Sequence, residues 1–306
     1  AAVAETNITG TNKSYTGSIQ LGQTADKTVG ALSVTATSQA TGIAKAVAGA
    51  AGLGAGAGAN ATAKVAPISE ALIGNNAKIK TSGNVSVSST GQGTADADAL
   101  GISVGALSVG ASIAEAENTP TVTAGIGSGG TLNVGGNLAV AAQQALFNGQ
   151  DAANAYATAA GGGLIGVNAT VAGAISDATV TGYISDNNTI TVTGSAQITA
   201  DTKTKQQAAA TAATGGLIAV GASQSEATSD SNTSSYVGKS SRINAANVNV
   251  QATGTDDNFT STTAGSGGVV SGASAVAKTS ATGTTKATLQ DGAKVAANTL
   301  TVNAQH

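Results

Sequence analysis

The chain has 306 residues, with 13 Lys and Arg, 16 Asp and Glu, and a net charge of −3 at pH 7. This balance excludes the basic patch that nucleic acid or an anionic lipid surface requires, so we predict no nucleic-acid partner. The absence of cysteine excludes disulfides and thiolate metal sites, and 42 glycines without a three-residue period exclude collagen. Because aromatic residues make up only 2% of the chain, we expect a thin interior built from Ala, Gly, Val, Ile and Leu.

The N-terminal residues 1–14 resemble the return arm of a later repeat, and the chain contains no Met. We therefore expect residues 1–306 to be part of a longer repeat array. The longest weakly polar run, residues 46–59, is shorter than the ~20 residues of a membrane-spanning helix, so we predict no direct membrane insertion. His306 is the only histidine, and we interpret it as a tag remnant rather than as a metal ligand.

A pair of short alternating strands, joined through a glycine, recurs along the chain. It is clearest in residues 184–200, and an irregular first copy with extra residues around Asp26 and Lys27 spans residues 19–36. One apolar position of the pair steps by 53, 53, 58, 52 and 52 residues, through Val34, Val87, Val140, Ile198, Val250 and Val302. A second apolar position lies upstream, at Ile79, Leu132, Ile190, Ile243 and Val295. We predict that these side chains form two columns of the structural core.

The period-two alternation and the regular step predict an all-β protein, a parallel β-solenoid with wide, flattened coils of about 52 residues. The two halves of a repeat do not resemble each other, which favours one coil per unit; two coils of about 26 residues per unit are the alternative. Ala-rich stretches such as residues 40–51 have the propensity for a helix. Copies at the same register contain Thr and Gly, so we predict strands there instead.

A second motif occupies the other half of each unit and reads Gly-Leu-Ile-Ala-Val-Gly-Ala-Ser in the copy that begins at Gly216. Its leading glycine recurs at Gly105, Gly163 and Gly268, and a degenerate copy surrounds Gly52. We predict that these glycines mark a corner of the coil.

We expect a single β-solenoid array over residues 1–306, because neighbouring units can share one core. The predicted units are 15–70, 71–123, 124–181, 182–234, 235–286 and the partial unit 287–306. Residues 144–151 lengthen the third unit, and we interpret them as a bulged turn rather than as a binding loop.

Acid–base catalysis needs ionisable groups at close range. The candidate pairs are Asp96 with Asp98, Glu115 with Glu117, and Asp256 with Asp257. None has a His or Cys partner in the sequence pattern, so we interpret them as solvated surface charges and predict neither enzyme activity nor a cofactor. The nonapeptide that binds calcium in some exported solenoids is absent, and we interpret residues 129–133 and 291–292 as turns.

The recurring strand pair, the Gly-Leu-Ile-x-Val-Gly-Ala-Ser arm and the cysteine-free composition resemble the repeats of giant filamentous adhesins of Gram-negative bacteria. These are the filamentous-haemagglutinin-like and leukotoxin-type filamentous proteins. The resemblance covers the whole chain and implies a structural stalk that is secreted or exposed on the cell surface. It also implies export by a type V or similar route, and adhesive parts elsewhere that contact a host or neighbouring cell.

Three alternatives remain open beside the stalk. A self-assembling surface-layer or fibre subunit would associate end to end, because unpaired rungs can stack on each other. A carbohydrate-binding solenoid is disfavoured by the scarcity of aromatic platforms. An ice-binding solenoid would need a uniform Thr ladder, whereas the outward column reads Ser33, Ser86, Ala139, Gln197, Asn249 and Thr301. The predicted partners in every case include the adjoining repeats of the same chain.

Overall fold

A computed structural model describes residues 1–23 and 29–306, and most of these residues lie in β-strands. In chain order the strands are β1 (Ala2–Tyr15), β2 (Gln20–Leu21), β3 (Leu32–Ile73), β4 (Lys78–Thr81), β5 (Val85–Asn118), β6 (Thr121–Ile126), β7 (Thr131–Val134), β8 (Leu138–Gln144), β9 (Ala153–Ser176), β10 (Thr179–Ile184), β11 (Thr189–Val192), β12 (Ser195–Ser229), β13 (Asn232–Val237), β14 (Arg242–Asn244), β15 (Asn247–Gly267), β16 (Val270–Ala281), β17 (Thr284–Leu289), β18 (Lys294–Ala296) and β19 (Thr299–Gln305). One turn of 3-10 helix, Phe147–Gly149, lies between β8 and β9. Asp26 and Lys27, the extra residues of the irregular first unit, lie outside the described residues.

The strand pairs of the described residues are all parallel, and the partners come from consecutive repeats. One ladder of directly paired residues runs through Val34, Val87, Val140, Ile198, Val250 and Val302. Residues 40–51 lie within β3, so the Ala-rich tract is a strand and not a helix. The predicted all-β fold of stacked parallel strands is therefore confirmed.

The strands form two sheets that run through the repeats side by side. Thirteen strands make up the larger sheet, and six short strands make up the smaller one, in the order β18, β14, β11, β7, β4 and β2. The short strands alternate buried and exposed residues. In β4, for example, the buried Ile79 lies between the exposed residues Lys78 and Lys80. This alternation places one face of each strand against the interior and the other in solvent.

The long strand β3 reverses direction near Gly52, so that its two halves face each other. Ala44 and Ala46 from the first half share a buried cluster with Ala57 and Ala59 from the second half. The buried positions are even-numbered before the reversal and odd-numbered after it. The reversal therefore shifts the inward face by one residue, and we call the residues around it the tip.

The interior consists of two parts with different side chains. The part enclosed by the two sheets, here called the base, is filled by Ile, Leu and Val, including Ile79, Leu132 and Ile198. The part between the facing halves of the long strands, here called the arm, has an apolar interior made almost entirely of Ala, with buried Ser, Thr and Asn beside it. Small side chains let the two walls of the arm approach closely; a Cβ added to Gly42 would lie 2.7 Å from a methyl of Val65.

Left-handed residues and asparagine side chains build the corners of the base. One corner position has φ between 56° and 73° in successive repeats, at Asn76, Gly129, Asn187, Ser240 and Gly292. Asn and Gly tolerate the left-handed region well, in agreement with the turn predicted at residues 291–292. The turn predicted over residues 129–133 is shorter than expected, because it ends at Gly129 and Thr131–Val134 form β7.

A second corner is tied by side chains that span two repeats. The Oδ1 atom of Asn84 accepts a hydrogen bond from the backbone N–H of Asn137 at 2.8 Å. The Oδ1 atom of Asn137 in turn accepts one from the backbone N–H of Ser195 at 2.8 Å. Each side-chain amide oxygen thus accepts a hydrogen bond from a backbone N–H group at the corner of the next repeat.

The third repeat accommodates its extra residues in one bulge. Gly91 pairs with Gln144, an offset of 53, whereas Ala95 pairs with Ala153, an offset of 58. The additional residues form the 3-10 turn, and the parallel ladder resumes after it. Within residues 1–23 and 29–306, no helix has both the length and the apolar composition that crossing a membrane demands.

Candidate functional site

Most of the side chains predicted for the two core columns are buried in the base. In the first column Val34, Val87, Val140, Ile198 and Val250 are between 0% and 2% exposed. In the second column Ile79, Leu132, Ile190 and Ile243 are likewise between 0% and 2% exposed, and Val295 is partly buried. Val302 departs from the inward prediction with 44% exposure, because no described strand pairs with β19 on its outer side.

The glycines predicted at a corner form one column at the tip. Gly52 pairs with Gly105, and Gly163 pairs with Gly216. A Cβ added to Gly105, Gly163 or Gly268 would overlap the carbonyl oxygen of the glycine in the preceding repeat, and one added to Gly216 would lie 2.5 Å from that of Gly163. The column therefore consists of glycine because the backbones stack too closely for any side chain.

The residues that follow these glycines carry a contiguous apolar surface, here called the apolar strip. Its four rows, ordered away from the tip, are Leu53, Leu164, Leu217 and Val269; Leu107, Ile165, Ile218 and Val270; Val109, Val167 and Val220; and Ile113, Val171 and Val276. Their exposed fractions run from 38% for Val167 to 88% for Leu53. The second row is continuous across four repeats, since Ile165 pairs with Leu107 and with Ile218, and Ile218 pairs with Val270. In the fourth row the exposed Gln224 lies between Val171 and Val276.

The strands beneath the apolar strip place aliphatic residues outward, which is the reverse of an ordinary half-buried strand. The residues that alternate with the strip point inward, and several of them are polar: Ser108, Ser112, Asn168, Thr170 and Ser223 are at most 5% exposed. Asn168 donates from Nδ2 across the arm to the carbonyl of Ala213 at 2.8 Å. Thr170 donates to the hydroxyl of Ser223, its paired neighbour in the next repeat, at 2.9 Å.

The corner predicted at the Gly-Leu-Ile-x-Val motif accounts for its glycine but gives no role to its aliphatic residues. The available signal was the alternation of Leu, Ile and Val with Ser, Asn and Thr. That alternation shows that the two sets lie on opposite faces, but only the reversal at the tip decides which set points outward.

The acidic pairs on the outer faces of the arm have local partners rather than a shared catalytic arrangement. Glu117 forms a 2.8 Å ion pair with Lys64 of the preceding repeat, and this contact raises the pKa of Lys64. Asp96 and Asp98 share an outward face. Burial raises the pKa of Asp96 above its usual value, Lys45 opposes this and Asp98 adds to it.

The third acidic pair is divided between the two faces of its strand. The side chain of Asp256 is only 2% exposed, whereas the adjacent Asp257 points outward. The Thr204 hydroxyl donates to Oδ1 of Asp256 at 2.5 Å, and Nε2 of His306 lies 3.1 Å from its Oδ2. The Nδ1 atom of His306 lies 3.1 Å from the Thr285 hydroxyl.

The contacts of His306 place its imidazole over the buried carboxylate of Asp256 at the last rung. Asp256 and His306 are 50 positions apart, so their contact can be predicted only if the register between the stacked strands is known. Within the described part of the chain, no group of three or more His, Cys, Asp and Glu side chains is arranged to hold a metal ion. A surface groove of about 380 Å³ lies on the base and contains a single carboxylate, that of Asp201.

The aromatic residues of the base are stacked on one another. The rings of Tyr183 and Tyr236 are 5.3 Å apart and 9° from parallel, and the ring of Tyr183 also lies against Gly125. The ring of Tyr183 is therefore packed between the neighbouring repeats on both of its faces.

The fold defines the protein as an all-β repeat protein of stacked parallel strands. Comparison of the chain with protein-family models, with curated proteins and with solved structures gives no match. Its function therefore has to be argued from the geometry described above.

Proposed function

We propose that each unit of about 52 residues forms one wide coil, and that the chain is a structural stalk segment of a secreted or surface-exposed bacterial adhesin. In this proposal the chain has no catalytic activity, and it holds adhesive parts of the parent protein away from the cell. The observation that carries the proposal is the parallel pairing that continues from Ala2 to Gln305 across the described residues.

The distribution of polar groups supports a structural role. The corner amides bind backbone donors of the next repeat, and Glu117 pairs with Lys64 one repeat away. These groups connect repeats to each other instead of converging on a common point in a pocket. A reaction would require such convergence on a substrate atom.

A self-assembling surface-layer or fibre subunit is the second candidate. The observation that favours it is that, among the strands of residues 1–23 and 29–306, β1 pairs with β3 on one side only and β19 pairs only with β15. Exposed strand edges of this kind can accept the edge of another molecule. Ordered fibres from the purified chain would support this candidate over the stalk.

The stalk proposal predicts that added units lengthen the molecule by a fixed increment. One, two and three extra copies of residues 182–234 would be inserted after residue 234, which keeps the 53-residue register. Each copy should extend the molecule along the stacking direction by ~4.8 Å, measured by small-angle X-ray scattering. An increment near twice that value would indicate two coils per unit, and no regular increment would refute the stacked array.

Surface exposure requires a separate test in the organism of origin. Antibodies raised against residues 1–306 should label intact cells or the culture medium. Labelling only after the cells are permeabilised would contradict the proposed location.

A further inference from the structure

The apolar strip is inconsistent with a surface that faces only water. Its rungs lie ~4.8 Å apart and its rows span seven residues at ~3.3 Å each, so its outline measures roughly 20 by 23 Å. Its protruding side chains expose several hundred Å², at about the upper end of the 300–600 Å² of the largest apolar patch on a typical monomer.

The strip is also not a by-product of core packing. A register shift of one residue would exchange the faces of the strands and bury these aliphatic side chains. The observed register instead buries polar residues such as Asn168 and Thr170, which need hydrogen bonds inside the arm to offset their burial. Outward Leu, Ile and Val therefore fit a surface that meets a partner.

We propose that the apolar strip is a docking surface for the same strip on a second copy of this chain. The inference goes beyond the stalk function and does not depend on it. Two copies related by a two-fold axis would bring the two strips face to face, which is the commonest symmetry of homodimers. Such a contact would bury on the order of 1,200 Å² in total, which is the lower range of specific protein interfaces.

Charge favours a second copy as the occupant. The strip contains no ionised residue, so no like charges oppose each other when it meets itself. At its edge Glu226 is already paired with Lys278 at 2.7 Å. A lipid surface would call for basic residues and for aromatic anchors, and the strip has neither.

The ladder geometry gives a second argument for self-association. Rows of side chains repeat at the spacing of the rungs, so two strips have matching periods over the full stack. In an array with more repeats of this kind, each added rung would lengthen the contact. Two stalks could then associate side by side along their length.

Sedimentation velocity of the whole chain over micromolar concentrations is the primary test. We expect a monomer–dimer equilibrium. The variant Leu164→Thr, Leu217→Thr, Val220→Thr should raise the dissociation constant at least about tenfold, because it removes the apolar contact while the β-branched Thr suits a strand. The matched control is Ile43→Thr, Val47→Thr, Phe259→Thr, which removes three exposed apolar side chains outside the strip and should leave the equilibrium unchanged.

A second measurement does not depend on the folding of the triple variant. The chain has no cysteine, so single cysteines can be placed at Ala222, between the rows of the strip, and at Ser261, on the other face of the arm. A thiol cross-linker should join two Ala222→Cys chains in much higher yield than two Ser261→Cys chains. Equal yields would overturn the proposal.

Two further outcomes would also overturn it. A chain that stays monomeric at all concentrations, yet co-sediments with phosphatidylcholine vesicles, would assign the strip to a lipid surface. Equal weakening of self-association by the strip variant and by its control would assign the association to another surface, such as the strand edges at the ends of the stack.

Discussion

At the scale of single residues, stability depends on whether a position lies inside the base or on its outer face. Val87 is fully buried between Val34 and Val140, while the adjacent Ser86 is partly exposed. Adjacent residues of one strand therefore differ in which substitutions they accept without loss of stability.

We expect Val87→Asp to lower stability by about 3 kcal/mol or more, because it places an unpaired charge in an aliphatic interior. Thermal unfolding followed by circular dichroism would measure the effect. The control Ser86→Asp, one residue away on the outer face, should have little effect. An unchanged melting temperature for Val87→Asp would refute the inward placement of the column.

The glycine column at the tip gives a second prediction at this scale. Gly163→Ala should destabilise the protein by about 1–3 kcal/mol, because its Cβ would overlap the carbonyl oxygen of Gly105 and force the backbones apart. Gly173→Ala is the control, since no atom lies within 4 Å of its added Cβ. Denaturant unfolding of both variants should separate them, and equal effects would contradict the close stacking.

The raised pKa of Asp96 predicts a pH-dependent effect. Because burial raises this pKa in the folded state, the folded protein binds the proton more tightly than the unfolded chain does. Ionised Asp96 therefore lowers stability above the folded pKa, and this penalty disappears as the pH falls through it.

Asp96→Asn should consequently raise the melting temperature near neutral pH. The gain should vanish below the usual pKa of aspartate, about 3.9, where the carboxyl is protonated in both states. Asp98→Asn is the comparison, and it should show a smaller gain. A benefit from Asp96→Asn that is independent of pH would argue against desolvation as the cause.

At the scale of secondary-structure elements, the corners hold neighbouring repeats in register. The amide of Asn137 accepts from Ser195 and fixes the start of β12 against the preceding repeat. Asn137→Ala should cost about 1 kcal/mol, because the Ser195 N–H loses its acceptor.

Amide hydrogen exchange of Ser195 would report this loss directly. Asn137→Asp retains an acceptor oxygen and should keep the exchange slow. If the alanine and aspartate variants exchange at the same rate, the side chain is not the acceptor in solution.

The arm illustrates how an element can reverse the usual placement of residue types. Its walls are lined by Ala in most repeats, and near the tip Ser108 and Asn168 replace Ala on the inside. Small or hydrogen-bonded side chains fit the narrow gap, whereas Leu and Ile are too large for it. The narrow gap explains why Leu and Ile are absent from the inside of the arm, but it gives no reason for the outer face to carry them in place of polar residues.

At the scale of the whole molecule, the paired register makes the number of residues per repeat decisive. Deleting residues 182–234 removes 53 residues, equal to the offset between Thr179 and Asn232. The shortened chain should fold, because β6 and the retained part of β10 can pair with the strands that followed the deleted unit.

Deleting only residues 182–207 is the matched control for the two-coil alternative. It removes half a unit and should abolish the cooperative β-sheet transition, because inward and outward columns no longer align between repeats. Circular dichroism and thermal unfolding of the two deletions would compare them. A folded half-unit deletion would favour two coils per unit.

Much of the architecture was accessible from periodicity alone. A position that stays apolar at Val87, Val140 and Ile198 can do so over fifty residues only if successive copies share one interior. The same logic did not reach the tip, where Leu217 and Ile218 are apolar for a reason unrelated to the core. Apolar character predicts burial only in one direction, because much of a protein surface is apolar too.

By itself, the sequence determined the all-β fold and the parallel stacking, because hydrophobic alternation and a repeated step are properties of the chain in one dimension. Only the tertiary structure decided which face of the arm points outward and that His306 reaches Asp256. The outward face depends on where the chain reverses, and a reversal within alanine and glycine leaves no hydrophobic contrast in the sequence from which its phase could be read. The contact of His306 depends on how its side chain is directed from the end of β19 toward β15.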